Sequence, residues 1–251
     1  MRANNNKKYG LFAFFALLPT VIALTAILPG CDGEKSYTRQ IWDENYPAYQ
    51  EICNLPFNRE VAAGTLPEKK FRNYMIQDYF YLQNYKKTYE ILLTKPPDER
   101  GRTFVVNAME AIDQEIENVH ALYFKKYSIT DRELSDSSPS QTTETYSSYL
   151  METAAREPFE VGLTATLPCN WIYYQVAADM KKSEPVENNP YQEWIDEYGG
   201  VSWEESDAKV FVDLVEYYMT NCGEERRRKM RQAYKRGVDF EYMFWDAAYN
   251  E

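Results

Sequence analysis

Cys169 heads the short roll of side chains in this chain that can do covalent chemistry. It lies in Leu167-Pro168-Cys169-Asn170-Trp171-Ile172-Tyr173-Tyr174. Proline inside an apolar helical stretch removes one backbone hydrogen bond and is expected to kink the helix. The thiol then sits beside a distorted turn, with the Tyr173 hydroxyl one helical turn further on. A soft nucleophile among rings suits attack on a flat heterocycle. An ordinary thiol, with a pKa of about 8.5, is only a few per cent thiolate at neutrality, so Cys169 needs activation. His120 is the only histidine; a tyrosine hydroxyl or a carboxylate must assist. An inert, buried structural cysteine is the competing reading.

Two carboxylates fall on apolar stripes. Phe71, Tyr74, Met75, Asp78, Tyr81, Leu82 and Tyr85 recur at intervals of three and four, which turns Asp78 inward on a helix. Met230, Ala233, Tyr234, Gly237, Glu241, Phe244, Trp245 and Ala248 do the same for Glu241. A buried carboxylate needs a partner, which for Asp78 is a tyrosine or arginine, or else the ring nitrogen and exocyclic amine of an aminopyrimidine. Desolvation raises a carboxyl pKa, so Glu241 is expected to be partly protonated near neutrality and able to donate to a leaving amine. Glu117-x-x-His120 has a spacing used in di-iron bundles, but such a site wants a second copy of the motif. With one histidine in the chain, a satisfied structural histidine and no metal or haem site is the expectation.

Helices must position these groups. Thr65-Leu66-Pro67-Glu68 has the form of a capping box opening a helix to about residue 95, stopped by Pro96-Pro97. Further helices are predicted at about 103–126, 142–156, 158–182 and 190–199, with a polar loop over 128–141. Ser202-Trp203-Glu204-Glu205 reads as a second capping box, opening a helix to about 220. A last helix follows Asn221-Cys222-Gly223 and runs from 224 to about 249. No alternation strong enough for a sheet and no internal repeat is seen, so an all-α, single-domain helical bundle is expected.

The chain of 251 residues has a net charge of −11 and is 16% aromatic, with 22 tyrosines. That composition favours a pocket walled by rings with polar tips. It disfavours nucleic acid as partner, because no basic patch is available to displace phosphate counterions. Tyr9 to Leu28 is uncharged and apolar behind Lys7 and Lys8, as in an export signal, and is long enough for an uncleaved membrane anchor. Leu28-Pro29-Gly30-Cys31 resembles a bacterial lipobox, although proline departs from the preferred small residue; Cys31 would be lipidated and Asp32 resembles an inner-membrane retention signal. The expected organisation is a signal or anchor at 1–31, a linker at 32–37 and a catalytic domain at 38–251, exported and tethered to the extracytoplasmic face of a bacterial inner membrane. Outside the cytoplasm Cys53 and Cys222 can pair, though two independent thiols is the favoured expectation.

Pro56-Phe57-Asn58-Arg59-Glu60 through Leu66-Pro67, Gln77-Asp78-Tyr79-Phe80-Tyr81, Leu167-Pro168-Cys169, Asn189-Pro190-Tyr191 through Tyr198-Gly199-Gly200, and Glu241-Tyr242-Met243-Phe244-Trp245 occur in this order. Together they resemble the TenA/thiaminase II family, the aminopyrimidine aminohydrolases of thiamin salvage, over roughly Tyr37 to Tyr249. The resemblance implies a haem-oxygenase-like bundle, a homotetramer, no cofactor and a small pyrimidine substrate. It implies Cys169 as nucleophile, Glu241 as general acid/base and Tyr81 as assistant to the thiol. It also implies that Asp78 anchors the substrate, with Tyr146, Tyr173, Tyr198 and Phe244 lining the pocket. The reaction implied is hydrolysis of 4-amino-5-aminomethyl-2-methylpyrimidine to the hydroxymethyl product and ammonia, with slower thiamin cleavage. An exported pyrimidine-binding lipoprotein is the alternative, but it needs neither Cys169 nor Glu241; a metal-dependent oxidase lacks the histidines.

Overall fold

The computed structural model describes residues 35–251, so the leader, Cys31 and the first half of the expected linker lie outside the described residues. Helices α1 (Tyr37–Asn54), α2 (Pro56–Ala63), α3 (Glu68–Leu93), α4 (Glu99–Glu115), α5 (Ala121–Lys126), α6 (Asp131–Asp136), α7 (Gln141–Arg156), α8 (Phe159–Lys182), α9 (Gln192–Gly199), α10 (Asp207–Asn221) and α11 (Glu224–Asn250) follow one another, and the described residues contain no strand. This is the all-helical bundle expected.

α8 is the axis of the packing. Its residues from Phe159 to Ala177 are buried on nearly every side, as a helix apolar all round must be, and it packs on α7, α9, α10 and α11. α8 continues through Pro168. There α11 comes closest, because Gly237 has no side chain: a Cβ on it would stand 2.7 Å from Pro168 Cγ and 2.8 Å from the Ala165 carbonyl oxygen. That contact brings Glu241, one turn beyond Gly237, to the level of Cys169. α3 packs on α4 and α7 and presents the stripe predicted for it, with Tyr74, Asp78, Tyr81 and Tyr85 buried and Tyr89 buried beyond them.

Four local expectations are corrected. Thr65 does not cap α3: its backbone N–H is bonded to the Glu60 carbonyl at the end of α2, where Gly64 turns the chain at φ +69°, and the cap position falls to Pro67. Ser202 donates to the Glu205 carboxylate at 2.7 Å within a 3₁₀ turn (Trp203–Glu205), and Ser206 caps α10 instead, accepting from the Lys209 N–H. The second long helix starts four residues early, capped by Asp98, whose side chain accepts from the Gly101 N–H. The polar loop holds the short α6, capped by Thr130 and pinned by a two-pronged bond from Arg72 to Glu133. Cys53 and Cys222 are free thiols.

Candidate active site

Cys169 projects from α8 toward α3 and α11. Burial pushes its thiol well above the ordinary value, and the charge of Glu241 pushes it further; the Tyr81 hydroxyl beside the sulfur favours the thiolate and opposes both. Glu241 is 1% exposed. Its Oε1 accepts from the Tyr146 hydroxyl of α7 at 2.7 Å, while Oε2 has no hydrogen-bond partner. Burial raises its carboxyl to about 8; Asp78 adds to the rise, and Tyr146 and the nearby Trp245 indole act against it. The carboxyl is thus the group of the two that changes protonation nearer neutrality, while burial holds the thiol protonated. A proton leaving the sulfur has Glu241 to receive it, and a protonated Glu241 can then pass it to a leaving group.

A second polar group stands beside the first. Asp78 Oδ2 lies 3.1 Å from His120 Nε2, both side chains being buried. Glu115 accepts a short hydrogen bond from the Tyr198 hydroxyl, and burial, reinforced by the charge of Asp78, raises it to about 8. Sequence reasoning missed Glu115; the spacing it weighed beside His120 was that of Glu117. The reason is local: Ile116–His120 is a single π-helical turn between α4 and α5. Widening the turn brings residues five apart into line, so Glu115 joins His120 inside while Glu117 is exposed. A π-bulge is invisible to a count of threes and fours.

Asp78, Glu115 and His120 each place a donor atom within 4.8 Å of the others, the one such buried group of three among the described residues. Two carboxylates and an imidazole match the donor type of a divalent iron or zinc site. His120 is nevertheless bonded to Asp78 and Glu115 to Tyr198, and His120 Nδ1 has no partner, whereas a ligating histidine is held by its second nitrogen. The arrangement fits a hydrogen-bonded anchor better than a metal centre.

An open cavity runs past both groups. Its empty space, mouth included, is about 930 Å³, and Asp78, Glu115, Cys169, Tyr173 and Tyr198 line its inner end. No lysine or arginine lines it, so an electron-poor, hydrogen-donating ring is the ligand its field favours. Four of the eight predicted residues, Asp78, Cys169, Tyr173 and Tyr198, thus face the cavity. Tyr81, Tyr146 and Glu241 stand behind it, at most 2% exposed, in contact with the thiol or with one another. Phe244 does not line it: its ring packs 5.5 Å from Tyr81 and 6.3 Å from Tyr74. Tyr173 packs against Trp245 at 4.5 Å and Tyr198 at 5.7 Å, closing the inner end with rings.

Comparison with known proteins gives the family and the fold. The family model described as TENA/THI-4/PQQC family matches residues 42–251. The aminopyrimidine aminohydrolase of Halalkalibacterium halodurans is 27% identical over 217 residues, 86% of this chain and 96% of that protein. A TenA homologue from Pyrococcus furiosus superposes with a TM-score of 0.77 at 23% identity, over 85% of this chain and 100% of the other. Haem oxygenase-1 from the cyanobacterium Synechocystis shares the fold, with a TM-score of 0.54 at 10% identity over 85% of this chain and 92% of that one.

Proposed function

We propose, from the premise that the chain belongs to the TENA/THI-4/PQQC family, that it is a thiamin-salvage hydrolase. Its reaction is the release of ammonia from 4-amino-5-aminomethyl-2-methylpyrimidine. The observation that carries this reading is the meeting of Cys169, Tyr81 and the Tyr146–Glu241 pair beside a cavity floored by Asp78. A binding protein would gain nothing from a buried thiol next to a buried acid.

In this reading Asp78, held by His120, accepts from the exocyclic amine of the pyrimidine, and Tyr198, held by Glu115, meets the opposite side of the ring. Ionised Glu241 takes the Cys169 proton as the sulfur adds to the ring. It then delivers that proton to the amine as the methylene carbon–nitrogen bond breaks, its electron pair leaving with nitrogen. Water adds to the methylene as Glu241, ionised again, takes its proton; the thiolate is expelled, aromaticity returns, and the proton passes back to the sulfur. Thiamin is a slower substrate of the same site, its thiazole leaving in place of ammonia.

The test is ammonia release by the domain comprising residues 35–251 on the aminopyrimidine. Cys169→Ala and Glu241→Gln should each remove most turnover, with little further loss when combined. Near-wild-type turnover in Cys169→Ala would overturn the thiol mechanism.

The same proposal includes export and membrane tethering through residues 1–31, supported by their apolar run and Cys31, and the homotetramer that the family resemblance implies.

A further inference from the structure

Glu241 is held by one of its two oxygens. Tyr146 donates to Oε1 at 2.7 Å, while Oε2 is buried without a hydrogen-bond partner. A second orphan accompanies it: the Nε1–H of Trp245, a residue of 0% exposure, is also buried without a partner. An indole nitrogen only donates and an ionised carboxylate only accepts, so the two orphans are complementary. They are four residues apart on α11, and a large side chain in a helix leans back over the turn before it. That places the indole beside the Glu241 carboxyl. Its ring is fixed there, stacked on Tyr74 at 5.9 Å and packed against Phe57 at 5.6 Å and Tyr173 at 4.5 Å.

We propose that Trp245 is a positioning residue of the reaction: its indole N–H closes on Glu241 Oε2 when that carboxyl gives up its proton, and opens when the proton returns. The inference rests on the reading of Glu241 as acceptor of the thiol proton and adds the group that steadies its ionised form. Trp245 does not line the cavity, so it acts through Glu241 and touches no substrate. A protonated carboxyl oxygen is a poor acceptor and a charged one a strong acceptor, so the contact belongs to one half of the cycle. In that half each oxygen has a neutral donor, Tyr146 on Oε1 and Trp245 on Oε2. A carboxylate oxygen keeps a second lone pair, which leaves room for the thiol proton.

The surroundings leave this task to donated hydrogen bonds. The titratable groups around Glu241 are Asp78 and Tyr81 of α3, Tyr146 of α7, Cys169 and Tyr173 of α8, and Tyr234 of α11 itself. None of them is a cation, and burial holds the phenols and the thiol protonated at neutral pH. Without a counter-charge among them, the ionised form is stabilised by the donors that reach it. The indole accordingly opposes the rise that burial imposes on this carboxyl.

The experiment follows the indole N–H signals of the five tryptophans by proton–nitrogen magnetic resonance on the full-length protein, without substrate, from about pH 6 to 10. Trp245 is assigned by the signal that Trp245→Phe removes. Its proton should move downfield as pH rises through about 8, where Glu241 ionises, and should stay in place in Glu241→Gln. A signal that does not move, or that moves alike in both proteins, would overturn the contact. For turnover, Trp245 is replaced by benzothienylalanine, in which sulfur stands in place of the N–H and the packing is kept. The rising limb of kcat/KM should move up by about one pH unit, the roughly 10-fold scale of one charge-assisted bond. A deficit equal at every pH would make Trp245 a packing residue alone. Because the indole titration needs no substrate, the two readings fail separately. A titrating indole in a protein that releases no ammonia would overturn the hydrolase reading, and a hydrolase whose indole does not titrate would overturn the role of Trp245.

Discussion

Removing one hydroxyl tests the proton path most directly. Tyr146→Phe deletes the hydrogen bond to Glu241 Oε1, the one made bond to that carboxylate in the described structure, and leaves both carboxylate oxygens without a donor at bonding geometry. The hydroxyl favours the ionised form, so its loss must raise the carboxyl pKa above its present value of about 8. Hydrogen bonds to charged groups contribute about 1.5–3 kcal/mol, and one pKa unit is about 1.4 kcal/mol. Taking the low end, Glu241 moves to about 9. The proposed cycle starts from ionised Glu241 and the neutral thiol, a state that is roughly a tenth of the wild-type enzyme at pH 7 and roughly a hundredth of the variant. The rising limb of kcat/KM against pH should therefore shift upward by about one unit. Activity should be about 10-fold down at pH 7, and the deficit should close as pH passes 9. Ammonia release followed from pH 6 to 10 measures this, with a thermal melt at each pH to confirm folding. A limb that stays in place, or a deficit constant at every pH, would refute Glu241 as the acceptor of the thiol proton.

Stability should carry the same signature. Glu241 and Glu115 are raised to about 8 when folded, against an ordinary value of about 4.3 unfolded. Between about pH 4.5 and 8 the folded state holds protons that the unfolded chain has released, so their contribution favours folding less as pH rises through that window. This is the reverse of a salt-bridged acid. Glu241→Gln should therefore gain in melting temperature relative to wild type between pH 5 and pH 8, and a difference independent of pH would count against a buried, proton-holding Glu241. For the leader, a palmitate analogue should label the full chain in cells and Cys31→Ser should abolish the label. A membrane-bound product still beginning at Met1 would establish an uncleaved anchor instead, and recovery in the soluble cytoplasmic fraction would exclude both.

The stripes on α3 and α11 were legible because helical period and burial are the same information: a residue three or four places from a run of aromatics shares their face. That rule alone turned Asp78 and Glu241 inward. Tyr146 and Tyr198 came from the family resemblance, since nothing local distinguishes them among 22 tyrosines. Tertiary structure decided the rest. Which helix faces which depends on contacts between residues far apart in the chain, such as Gly237 against Pro168, and no local pattern encodes such a distance. It set Tyr146 on Glu241 and moved Phe244 behind Tyr81. The π turn at Ile116–His120 exchanged Glu117 for Glu115 as the neighbour of His120. One extra residue in a helical turn rotates everything after it, and packing rather than local propensity chose that register.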